Sequence, residues 1–80
     1  MKVAELEKAL IELGVDPLAF SINGARDGED QLRLENDRGL WYLYYYERGQ
    51  RHDRGLFYYE EEACTRLYEI LKNDSIARRR

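Results

Sequence analysis

The segment LWYLYYYE, residues 40–47, constrains the fold of this chain more than any other. Aromatic and branched side chains favour a pleated, half-buried surface, and a strand so rich in them has to bury one face against a second layer. Just before it, Gln31-Leu32-Arg33-Leu34-Glu35 alternates polar and apolar residues, the period-two signature of a half-buried strand. Asn36-Asp37-Arg38-Gly39 supplies the hairpin turn between them. A hairpin loop with an even number of residues pairs positions whose numbers sum to an odd value. With such a loop, Leu32 and Leu34 share a face with Trp41, Leu43 and Tyr45, while Arg33, Glu35, Tyr42, Tyr44 and Tyr46 occupy the other.

The flanking segments supply a covering layer. Val3, Leu6, Leu10 and Leu13 recur at helical spacing, and Gly14 is placed to end that helix in a left-handed cap. Asp16-Pro17 starts a turn, and residues 18–22 read as a first strand. Asn23-Gly24 and Asp27-Gly28 are turn dipeptides, so residues 23–30 form an exposed loop. After Arg48-Gly49 a last strand runs through Leu56-Phe57-Tyr58-Tyr59. Its start, between Gln50 and Gly55, and its register stay open, with Phe57 favoured as the core residue. From Glu60 a second helix carries an apolar stripe of Ala63, Cys64, Leu67, Tyr68, Ile70 and Leu71, with Glu60, Glu61 and Glu62 complementing its dipole. Asn73-Asp74 ends it. This order predicts an α+β two-layer sandwich: N-terminal helix, three- or four-stranded antiparallel sheet, C-terminal helix. Residues 1–74 form one domain, and residues 75–80 a flexible basic tail.

Composition narrows the setting. At 80 residues and 44 % hydrophobic, the chain is near the size at which one core just suffices. No apolar run approaches the roughly 18 residues of a membrane span, and the charged N-terminus does not read as a signal peptide. A single cysteine, Cys64, fits a reducing, cytoplasmic setting. The formal charge is −3, and the body is more acidic still once Arg78, Arg79 and Arg80 are set aside. An acidic body repels phosphate backbones and draws basic partners.

Little here points to catalysis. His52 stands beside Asp53, but no Ser or Cys is placed as a nucleophile, so it reads as an exposed loop histidine. Cys64 falls on a buried helix face, and Asp27-Gly28-Glu29-Asp30 lacks the spaced ligands of a calcium loop. There is no phosphate-cradling glycine loop and no histidine–carboxylate metal set, so neither metal nor cofactor is expected. The tyrosine row is the informative feature. All the aromatics except Phe20 and Tyr68 lie between Trp41 and Tyr59. Trp41 and Tyr45 read as packing residues. For Tyr42, Tyr44 and Tyr46 a protein interface and ordinary cross-strand packing stand level, because an exposed aromatic row is uncommon in a monomer.

The run Trp41-Tyr42-Leu43-Tyr44-Tyr45-Tyr46-Glu47-Arg48-Gly49, then Phe57, then Glu60-Glu61-Glu62-Ala63-Cys64, resembles a pattern in small bacterial immunity proteins. These accompany polymorphic toxins, including contact-dependent growth inhibition systems. The likeness covers most of residues 1–72, leaving residues 50–54 and the arginine tail unplaced. It implies a non-catalytic inhibitor that binds the C-terminal domain of a cognate toxin, often a nuclease. On the uncovered sheet face, Tyr42, Tyr44 and Tyr46 are the expected interface anchors, with Glu35, Glu47 and Asp53 as charged partners. Two alternatives remain. One is a nucleic-acid-binding or regulatory module using the same tyrosine sheet, disfavoured by Glu35 and Glu47 and by the absence of an aromatic-basic RNA-recognition pattern. The other is weak homo-oligomerisation through paired open sheet faces.

Overall fold

The computed structural model describes residues 1–74; residues 75–80, and with them the expected tail, lie outside the described residues. The first helix, α1, is Val3–Leu13. Gly14 closes it at φ 86° in the left-handed region, where its N–H and that of Val15 reach the carbonyls of Ile11 and Leu10. Pro17–Ala19 then form a single 3-10 turn, capped by Asp16, whose Oδ1 accepts the Leu18 N–H at 2.9 Å. The turn takes the first residues of the expected strand, so β1 is only Phe20–Ile22. β2 is Gln31–Asp37, β3 Leu40–Glu47, β4 Gln50–Phe57 and α2 Glu60–Lys72. The chain is therefore an α+β domain with a helix at each end of a four-stranded sheet, ordered β1-β2-β3-β4.

The sheet is mixed rather than wholly antiparallel. β1 runs parallel to β2, with Phe20 beside Leu32 and Ile22 beside Leu34. A parallel neighbour needs a connection that travels back along the strand. Three residues span only about 10 Å, so the short link through residues 23–30 makes the return. Side chains brace that link. The Ser21 hydroxyl donates to the Arg26 carbonyl and accepts the Arg26 N–H, and Asn23 Oδ1 accepts the Asn36 N–H.

β2, β3 and β4 form an antiparallel meander. Both turns hold two residues with positive φ, Arg38-Gly39 and Arg48-Gly49, the geometry that matches strand twist in tight hairpins. The first turn sets Leu32 opposite Tyr45 and Leu34 opposite Leu43, the register the even loop requires. In β4, Trp41 pairs with Phe57 and Leu43 with Gly55, but Tyr44 pairs with Asp53. Arg54 is thus the extra residue of a bulge. Phe57 packs against the core, whereas Tyr58 and Tyr59 stand beyond the strand, exposed. His52 lies in β4 beside Tyr45, not in a loop.

The core joins Leu6 and Leu10 of α1, Phe20, Ile22, Leu32, Leu34, Trp41 and Leu43 of the sheet, and Ala63, Cys64, Leu67 and Leu71 of α2. α2 contacts β2, β3 and β4, and α1 packs beside α2. The two helix starts meet: the Val3 N–H donates to the Glu60 carboxylate at 2.9 Å. Glu60 therefore serves the positive ends of both helices.

Cys64 is fully buried, and desolvation, with the Glu60 carboxylate adding to it, pushes its thiol from an ordinary 9.0 up to about 11. The unfolded chain sheds this proton first, so between pH 9 and 11 the native state binds more protons and stability falls as pH rises. The loss by pH 11 is about 2–3 kcal/mol, with full stability below pH 9. Burial also raises the phenols of Tyr44 and Tyr45, which act in the same direction above their ordinary 10.0. In urea titrations across pH 8–11, Cys64→Ala should lose the cysteine share of that decline. An unchanged slope would show that the thiol is not desolvated.

Candidate functional site

Strand alternation and the β4 register decide which side chains share the helix-free face. Glu35 lies opposite Tyr42, Arg33 opposite Tyr44, Tyr44 opposite Asp53 and Tyr46 opposite Arg51. Glu35, Tyr42, Tyr44, Tyr46 and Asp53 are therefore brought together as expected. Glu47 is not: it alternates with Tyr45, pairs with Gln50 and stands 3.7 Å from His52 Nε2 on the helix side.

The tyrosine row is not bare either. Tyr44 is only 5 % exposed. Its hydroxyl donates to the Glu35 carboxylate at 2.8 Å, and the Arg51 guanidinium lies 4.1 Å from the centre of its ring. Arg51 also approaches Tyr42, at 5.6 Å, and is held by Asp53 at 3.0 Å. On the other flank Arg33 stacks on Tyr46 at 4.0 Å. Arg33 is itself fixed by Gln31, by the Gly28 carbonyl and by Asp27 at 3.6 Å. Each ring thus meets a cation from the same sheet, an attraction worth about 0.5–1 kcal/mol per pair at such sites. Burial, with the Glu35 hydrogen bond second, holds the Tyr44 phenol above its ordinary value, so the hydroxyl stays a proton donor.

Tyr44 is accordingly a packed residue, and the accessible part of this face is different from the expected one. Tyr42 and Tyr46 are half-buried, and Leu56, opposite Tyr42, is 51 % exposed. Leu56 escapes sequence reasoning, because its place opposite Tyr42 depends on the bulge at Arg54. Arg51 escapes it too, set opposite Tyr46 by the two-residue Arg48-Gly49 turn at a strand start the sequence leaves open. The arginines after β3 also separate. Arg48 occupies a turn, Arg51 the open face and Arg54 the opposite side, so they make no continuous basic stripe.

The helix side holds a second feature. A groove of about 480 Å³ runs between the Pro17–Ala19 turn, the end of the 23–30 link, the β3 end and the C-terminal turn of α2. Its lining includes apolar Leu18, Leu32, Tyr45 and Ile70, the carboxylates of Asp16, Glu29, Asp30 and Asp74, and the guanidinium of Arg54. Glu29 also accepts the Arg48 N–H, tying the link to the second hairpin turn. Among the described residues no cluster of His, Cys, Asp and Glu is arranged to hold a metal ion. No described helix is long and apolar enough to cross a membrane. No family model matches the chain, and neither a curated protein nor a solved structure matches it.

Proposed function

We propose that this domain is a non-catalytic protein-binding inhibitor, an immunity protein that neutralises the C-terminal domain of a cognate bacterial toxin, a nuclease, in the cytoplasm. The observation that carries this reading is the helix-free sheet face, where Tyr42, Tyr46 and Leu56 present aromatic and apolar surface among Glu35, Arg51 and Asp53. Rigid aromatic side chains framed by charge suit a protein partner, since they bring large contact area at little entropic cost. The acidic body adds attraction for a basic, nucleic-acid-cutting partner and raises the association rate at low salt. The sequence likeness to immunity proteins points the same way.

Affinity capture from source cells at moderate salt, with mass spectrometry of what stays bound, tests the reading. A near-stoichiometric toxin domain supports it. Against that partner, Tyr42→Ala and Tyr46→Ala should each weaken binding by about 1–3 kcal/mol, roughly 5- to 150-fold. Unchanged dissociation constants would remove this face from the interface. A second reading, a nucleic-acid module, draws on Arg33 and Arg51 lying over tyrosine rings. It requires single-strand affinity that falls steeply with salt, and a flat oligonucleotide titration ends it.

A further inference from the structure

We propose that Asn23 is a self-modification site, whose side-chain amide is lost by ring closure onto Gly24 at a pace the fold sets. Asn23-Gly24 is the only Asn-Gly pair in the chain. Both residues are exposed, so solvent base reaches the Gly24 N–H, and glycine brings no side chain to obstruct its nitrogen. Asn36 and Asn73 are each followed by aspartate, whose side chain crowds the nitrogen and whose charge opposes loss of its proton. In the reaction the deprotonated Gly24 nitrogen bonds to Asn23 Cγ, the Cγ–Nδ2 bond breaks and ammonia leaves. Water then opens the imide ring. Attack at Cγ gives aspartate, and attack at the main-chain carbonyl carbon gives isoaspartate, whose chain runs through Cγ. The sum is amide plus water to acid plus ammonia, with no change of oxidation state.

Hydrogen bonds hold both partners in this reaction. Asn23 and Gly24, at φ 52° and 74°, are the central residues of a turn closed by the Ala25 N–H on the Ile22 carbonyl at 3.1 Å. The Asn23 N–H donates to the Leu34 carbonyl at 2.7 Å, and its Oδ1 accepts the Asn36 N–H at 2.8 Å. The last bond fixes the plane of the amide that ring closure has to turn toward Gly24. Conversion therefore waits on a local opening of the link, and its rate reports how often that opening occurs. The two products differ in consequence. Aspartate keeps a side-chain oxygen for the Asn36 N–H. Isoaspartate lengthens the main chain between Ile22 and Gly24 and makes that oxygen part of it, where β1 has only three residues to hold its register on β2. None of this touches the tyrosine face, so it stands apart from the toxin reading.

Peptide mass spectrometry of protein incubated at neutral to mildly alkaline pH, with isoaspartate separated by chromatography, tests the proposal. Acid should appear at Asn23 ahead of Asn36 and Asn73, and faster as pH rises. The rate in buffer should be about tenfold or more below that in denaturing guanidinium chloride. Ser21→Ala removes both bonds to Arg26 and should bring the two rates closer together. Gly24→Ala should slow the reaction in denaturant, where no turn strains the new side chain. The isolated isoaspartate form should unfold at a lower temperature than Asn23→Asp, which should stay close to the parent. Acid forming first at Asn36 or Asn73 would overturn the site. Equal rates in buffer and denaturant would overturn its control by the fold, and an isoaspartate form as stable as Asn23→Asp would overturn its effect on β1.

Discussion

Tyr44→Ala should cost about 3–5 kcal/mol of folding stability, the range for removing a large aromatic from a packed site. The ring is nearly inaccessible, and its removal takes away the surface on which Arg51 lies and the donor that holds Glu35. It also opens a hole beside the bulge, where Tyr44 faces Asp53. Tyr44→Phe keeps the ring and gives up only the hydroxyl, so it should cost about 0.5–1.5 kcal/mol. Thermal unfolding separates the two cases, since each kcal/mol moves Tm by about 4–8 °C in a domain of this size. A loss below about 1.5 kcal/mol for the alanine variant would mean that the ring is not packed, and would return Tyr44 to the accessible interface. The stability effect also governs how binding data are read: a Tyr44→Ala protein that fails to bind has lost its fold before its contact.

The second large effect sits one residue earlier, on the other side of the same strand. Leu43→Ala should cost about 3–5 kcal/mol, the transfer free energy of the lost atoms plus that of the cavity they leave. Leu43 has no solvent exposure and lies between Leu34 and Gly55. Gly55 has no side chain to lean into the space, and the Phe57 ring already fills the place where its Cβ would be, at 2.7 Å. The site therefore collapses poorly. A domain of this length has only about 4–12 kcal/mol of stability in total, so urea midpoints should fall by about a quarter or more. Leu43→Met, which nearly conserves volume, should cost less than about 1.5 kcal/mol. Equal losses for alanine and methionine would show that packing volume does not set the stability at this position.

The pair of variants marks what was legible in the sequence. Leu43 could be placed on the core side from alternation and an even-numbered turn alone, because both are local rules. The helices were equally readable, down to the left-handed Gly14. The direction of β1 was not. Asn23-Gly24 reads like a hairpin turn, yet the chain returns as a parallel neighbour, with the link braced by bonds from Ser21 and Asn23 that no local pattern announces. The candidate site was legible in composition but not in exposure. Burial of Tyr44 depends on Arg51 arriving above it, which follows from β4 starting directly after the two-residue Arg48-Gly49 turn, a start that the residue pattern leaves open. Glu47 is a plainer matter. Reading it by nearness along the chain rather than by alternation misplaces it.

The bulge has one more consequence, for how the sheet stops. β4 is an outer strand of eight residues, and its far side turns a row of backbone donors and acceptors away from β3. Such a row is a template on which another chain can add a strand. Here the register breaks at Arg54, and Arg51, Asp53 and Arg54 crowd the same stretch with charge. The opposite border, β1, is three residues long and gives an incoming strand little to hold. The sheet is thus guarded at both borders by different means: by brevity at one, and by irregularity and charge at the other.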